Sequence, residues 1–234
     1  MPVIMTRLRM RSVPYHGVVR HSRRLLVLVL LQLFAIASVV GSQRPAANDL
    51  FNQIFNRTVV TRQSLHSIRA RFTETTVSSL LEKPLMAHGT VIAAPPARVL
   101  MTYTDPERKT VALDGKSLVI IWPDRHEQEK IDISQVQKRV DQYFTQANLE
   151  QLRSMFDIKA EPDPVMRDAD RVDMRPKRKQ IKEGLERLDL WIDREKLLLV
   201  QMQMTFPGGD TKTIKLDDVA INVPITDEMF QIRH

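Results

Sequence analysis

Apolar and polar residues alternate with a period of two along much of this chain. Ile68, Ala70 and Phe72 alternate with Arg69, Arg71 and Thr73, the pattern of an antiparallel strand buried on one face. Similar runs predict strands over 85–93, 98–104, 109–113, 116–123 and 129–133, then over 185–192, through Val200, Met202, Met204 and Phe206, and over 211–216. Residues 222–230 are expected to close the sheet. Turn chemistry separates the runs. Asp114-Gly115 and Pro207-Gly208-Gly209-Asp210 suit hairpins, since tight turns need the positive φ that glycine adopts without steric cost. Pro95-Pro96 removes two successive ladder donors and so breaks the strand it ends.

The period changes to helical at three places. Asn48 and Asp49 are good caps for a helix running to about Thr61, in which Leu50, Phe51, Ile54, Phe55 and Thr58 or Val59 form an apolar stripe. Residues 136–144 and 148–156 read as two further short helices, and Pro162 and Pro164 interrupt the stretch beyond them. The count is about nine to eleven strands with two or three short helices. This is a mainly β (α+β) fold, antiparallel by the shortness of its connections. A sheet of that length with one apolar face must curl or close. Helices too few to cover that face leave a cavity, lined on one-sided alternation by Ile68, Phe72, Val99, Met101, Tyr103, Met202, Met204 and Phe206. Methionine adapts to irregular apolar ligands, though it is equally at home in ordinary core. Phe51, Ile54 and Phe55 would then form a lid, with Phe51 and Phe55 as a plug.

Charge changes the picture only once the N-terminus is set aside. Six arginines and no acid precede Ser42, and Leu25–Val40 is apolar except for Gln32 and Ser38. A basic segment, an apolar segment too short to span a bilayer, and small residues at Gly41-Ser42 predict a secretory signal peptide over 1–42. Retention as a membrane anchor is the alternative, and Met1, Met5 and Met10 are all candidate starts. The chain carries 35 Lys and Arg against 28 Asp and Glu, so removing those six arginines leaves a nearly neutral remainder over 43–234. Bulk charge therefore gives no case for nucleic acid. One basic run stands out: Arg171, Arg175, Lys177, Arg178, Lys179 and Lys182, either a solvated face or a docking patch for anions.

No cysteine is present, which excludes disulfides, thiol catalysis and acylation of an N-terminal cysteine. Of the histidines, His66, His88, His126 and His234 lie beyond the signal, none at metal-ligand spacing from another. No nucleophile elbow or phosphate-cradling glycine loop occurs, so neither enzyme activity nor a cofactor is expected.

The order of segments resembles the LolA family of periplasmic outer-membrane lipoprotein carriers. The residues that carry the resemblance are Ser67–Glu74, Gly89, Pro96, Tyr103–Pro106, Asp114–Leu118, Leu190–Asp193, Asn222–Ile225 and Met229–Ile232. The resemblance implies an incomplete antiparallel β-barrel lidded by helices around an acyl-chain cavity, with no cofactor and no enzyme activity. It further implies a monomeric periplasmic shuttle. Its acylated lipoprotein cargo would come from an inner-membrane ABC-type transporter and pass to a LolB-like acceptor at the outer membrane. Alternatives are a carrier of another apolar cargo, such as a glycolipid or pigment-type lipid, and a periplasmic lipid-sensing regulator. The regulator carries a further C-terminal domain, for which a chain ending at His234 is expected to leave no room. The chain departs from the family where an arginine precedes the kink proline and latches the lid. Pro95 stands there, and Arg98 is the nearest arginine. Fewer polar bonds are thus expected to hold the lid. The signal reading predicts that sequencing the exported protein finds a new N-terminus near Gln43; an intact N-terminus in the inner membrane would reject it.

Overall fold

The computed structural model describes residues 49–95, 97–140 and 148–230. Residues 1–48 with the predicted signal, Pro96, the second half of the predicted 136–144 helix and Gln231–His234 lie outside the described residues. Helix α1 (Leu50–Gln63) starts where expected, and the Asn52 amide donates to Asp49 Oδ1 at 2.9 Å. It leads into β1 (Ile68–Val77), β2 (Leu85–Ala94), β3 (Arg98–Asp105), β4 (Lys109–Leu113), β5 (Ser117–Trp122) and β6 (Glu127–Asp132). Helices α2 (Ser134–Val140) and α3 (Leu149–Met155) then precede β7 (Phe156–Pro162), β8 (Ala169–Pro176), the single turn α4 (Lys179–Lys182), β9 (Arg187–Asp193), β10 (Leu199–Thr205) and β11 (Thr211–Ile221).

All eleven strands form one sheet in the order β6-β5-β4-β3-β2-β1-β11-β10-β9-β8-β7. Every neighbouring pair is antiparallel. Two meanders, β1–β6 and β7–β11, are therefore joined where β1 pairs with β11, and the sheet remains open between its edges β6 and β7. Those edge strands are consecutive in sequence, and the segment containing α2 and α3 connects them. Right-handed twist and burial of one face curl such a sheet. Its concave side carries one apolar cluster, running from Leu118 and Ile120 on β5 to Ile158 on β7 and Val172 on β8.

Two sequence expectations need correction, and the expected hairpin at Asp114-Gly115 gains its detail. Residues 222–230 do not form a closing strand; β11 runs on to Ile221, and Asp227–Phe230 is a 3-10 turn. Arg98 pairs with Asp227 and lies 4.8 Å from the Phe230 ring centroid, so this segment is held by side chains in place of a ladder. Strands β7 and β8 are not anticipated by the pattern, because prolines at 162, 164 and 176 bound short, highly charged runs there. The Asp114-Gly115 hairpin is a three-residue loop. Gly115 has φ 84°, and the Asp114 carboxylate accepts from the Lys116 and Ser117 amides at 2.8 and 2.6 Å.

Gly89 is required for packing. A Cβ there would lie 2.1 Å from the Thr102 carbonyl oxygen and 2.8 Å from the Phe72 ring. The bare backbone lets the Phe72 ring approach and meet Tyr103 edge-on at 4.8 Å between centroids. Gly89→Ala should therefore cost about 3 kcal/mol in denaturant unfolding, by forcing the β2–β3 ladder apart. A loss within error of zero would show that the ladder yields easily.

Candidate functional site: an apolar concave face with an ion network

The predicted lining residues occupy the concave face. Phe72, Val99, Met101, Tyr103, Met202 and Met204 are buried in the common cluster, and Phe206 packs against it partly buried. Ile68, the first residue of β1, is only partly buried and does not join the cluster. Parity explains the grouping. Ala70 and Phe72, Val99, Met101 and Tyr103, and Met202 and Met204 each take alternate places on their strands. Burying one such large apolar side chain stabilises the fold by about 2–3 kcal/mol.

Helix α1 covers this face and contacts β7. Phe51 and Ile54 are buried in the cluster, Thr58 is buried as well, and Phe55 sits partly buried at the margin. The two rings lie 6.2 Å apart, tilted by 53°. The inward positions are thus 51, 54 and 58, and Phe51, more than Phe55, is the buried ring. The polar contacts that hold the start of α1 come from α3. Arg153 pairs with Asp49 at 2.5 Å, donates to Asn52 Oδ1 at 3.0 Å and lies 5.3 Å from the Phe51 ring centroid. Midway along α1, Arg57 donates to the Arg194 carbonyl at 3.0 Å. Arg98, the other candidate, is engaged by Asp227.

Sequence reasoning missed a second feature of the same face. Near the end of the sheet where β1 finishes, Glu74 is buried among apolar neighbours. One carboxylate oxygen accepts from Lys212 Nζ at 2.7 Å, and the other accepts from the Tyr103 hydroxyl at 2.9 Å. The Lys109 ammonium lies 4.2 Å from the Tyr103 ring centroid. Burial alone would push the Glu74 carboxyl up, but the charge and hydrogen bond of Lys212, with Lys109 and Tyr103, hold it below its usual value. Burial and Glu74 push the Tyr103 phenol well up. Burial pushes the Lys109 ammonium down, against the pull of Glu74. The signal was parity: Glu74 continues the inward series of Ala70 and Phe72, Lys109 that of Val111 and Leu113, and Lys212 that of Ile214 and Leu216.

Three residues of the basic run near 171–182 are engaged within the fold, Arg171 and Arg175 on the convex face and Lys177 against α3. Arg171 donates twice to Asp189 Oδ1, at 2.9 and 2.7 Å, and Arg187 lies 2.8 Å from the other oxygen of that fully buried carboxylate. Arg175 pairs with Asp173, and Lys177 donates to the Arg153 carbonyl at 2.7 Å. Trp191 donates to Asp163 at 2.8 Å, another convex-face anchor. His88 shares a 3.2 Å hydrogen bond with Thr73 on that face. Among the described residues no group of three or more His, Asp or Glu could hold a metal. No helix among them is long and apolar enough to cross a membrane.

An open antiparallel half-barrel, apolar on its concave side and overlaid by a helix, defines a carrier-type architecture. The family described as outer membrane lipoprotein carrier protein LolA matches residues 63–233. The chain belongs to the LolA family. No curated protein matches it at the sequence level. Among solved structures, an uncharacterized conserved protein from Thermus thermophilus is 12% identical with a TM-score of 0.51, over 79% of this chain and 94% of that one. Lipoprotein LppX of Mycobacterium tuberculosis is 14% identical with a TM-score of 0.47, over 74% of this chain and 96% of that one. A LolA superfamily protein from Nitrosomonas europaea is 11% identical with a TM-score of 0.41, over 77% and 97%. At these identities the likeness is one of fold alone.

Glu74 sets a pH dependence. A carboxyl whose pKa is lower in the folded than in the unfolded state stabilises fully above the unfolded value, and that stabilisation is lost as pH falls through the folded one. Near neutrality, Glu74→Gln should cost about 3–5 kcal/mol by leaving Lys212 buried without its counter-charge. The gap to wild type should narrow as pH is lowered past the ordinary Glu value of 4.5 toward the folded pKa. Thermal unfolding of both proteins across that range checks it, and a gap constant with pH would contradict an ionised pair.

Proposed function

We propose that the protein is a periplasmic carrier that shelters the acyl chains of a lipoprotein, or of another apolar cargo, against its concave face. Residues 1–42 act as the export signal and residues 43–234 as the carrier domain. A monomer would receive cargo from an inner-membrane ABC-type transporter and deliver it to a LolB-like acceptor, without a cofactor. The observation that carries this reading is the way α1 is held. Its buried face lies on the apolar cluster, yet the polar bonds fixing it are few and partly exposed. The Arg153 side chain is 36% exposed and that of Asp49 47%. Exposed pairs of this kind contribute about 0.2–1 kcal/mol each, and screening by salt reduces them. Opening α1 therefore costs mainly the burial of Phe51 and Ile54, which acyl chains entering the same space would replace. Family membership supports the same reading.

The test is binding of an environment-sensitive apolar dye to the protein lacking residues 1–42. It should bind about one to one, and acylated peptide should displace it. Arg153→Ala should speed dye association several-fold, a shift matching about 1 kcal/mol in the opening equilibrium, with little change in sheet stability. Added salt should reproduce part of that effect in wild type. Unchanged kinetics, together with a large stability loss in Phe51→Ala, would make α1 a fixed structural cover and overturn the carrier mechanism.

A further inference from the structure

The ion network on the concave face has an odd charge count. Glu74 supplies one negative charge, and Lys212 and Lys109 supply two positive ones. Both Glu74 oxygens are already engaged, by Lys212 at 2.7 Å and by the Tyr103 hydroxyl at 2.9 Å. The other acid whose charge acts on Lys109, Glu107, pairs with Arg125. Lys109 is left with the face of the Tyr103 ring, 4.2 Å from its centroid. Its stem lies on the inward side of β4, in series with Val111 and Leu113 of the apolar cluster. Lys109 is only partly buried, so a ligand lying along the cluster can reach it. A desolvated ammonium without its own counter-ion, at one end of an apolar surface, is unfavourable alone and is stabilised by an anion.

We propose that the cargo is an anionic amphiphile whose oxyanion head, a carboxylate or a lipid phosphate, pairs with Lys109 while its chain lies against the apolar concave face. This rests on the carrier reading and adds a head-group preference to it. The ammonium pushed down by burial is consistent with a cation that lacks a partner. The acids facing it are Glu74 and Glu107, and the bases are Lys212 and Arg125. Glu107 and Arg125 cancel, so the surplus at this end of the face is one positive charge.

The experiment displaces N-phenyl-1-naphthylamine from the protein lacking residues 1–42, using four ligands with one tail: dodecanol, dodecanoate, dodecyl phosphate and dodecyltrimethylammonium. One or both anions should compete about tenfold more strongly than dodecanol, as expected for one hydrogen bond to a charged group. The cation should compete worst. Which anion wins identifies the head as carboxylate or phosphate. Lys109→Met should bring the anions to the level of dodecanol measured on the same variant, and Lys109→Arg should keep the preference. Equal competition by dodecanol and both anions, or a preference that survives Lys109→Met, would overturn this inference alone. Failure of the dye and of every ligand to bind would overturn the carrier reading with it. If Lys109→Met does not fold, the wild-type ranking and the Lys109→Arg variant decide the matter.

Discussion

The two meanders of the sheet meet at one seam, the β1–β11 pairing, and the buried Glu74–Lys212 pair crosses it. A one-residue slip in that pairing would turn one ion outward and leave the other in the apolar interior. A buried pair of this kind is weak evidence for net stability, because desolvation offsets most of its attraction. Its effect is on register. With register set at the seam, Phe72, Met101 and Tyr103 on one side and Met202 and Met204 on the other all face the same concave space.

The sheet itself stays open because the edges β6 and β7 do not pair. β6 carries Glu127, Glu129, Lys130 and Asp132, charges that suit an edge strand left uncovered. Without closure, the concave face depends on α1 for cover. The hold on α1 is divided between apolar burial at Phe51 and Ile54 and the exposed Arg153 cluster. A cover held in this way can be displaced by something equally apolar. A fully closed barrel would need strands to part.

Polar structure on the two faces has different consequences. On the convex side, Asp189 is shared by Arg171 from the neighbouring strand and Arg187 from its own, and Asp163 accepts from Trp191, so each of these cations lies directly against a carboxylate. Of the basic run, Arg171 takes part in those ties and Arg175 pairs with Asp173. On the concave side the set is unmatched, and Lys109 is the residue over. The same residue types thus serve as mortar on one face and as a recognition element on the other, according to whether each charge finds a partner.

Local pattern was enough to specify most strands, the capped start of α1 at Asp49 and the break after Ala94. These depend on period, caps and turn residues within a few positions. Parity also placed Phe72, Val99, Met101, Tyr103, Met202 and Met204 on one face, since alternation is a property of the strand itself. Tertiary structure alone decided the rest. Strands β7 and β8 gain their order from neighbour β9 and each other, not from their own charged, proline-bounded sequences. The contact that fixes the start of α1 comes from Arg153, 104 residues from Asp49, and no local rule joins them. The Glu74–Lys212 pair spans 138 positions. Which charge is matched and which is left over depends on strands that only folding brings together.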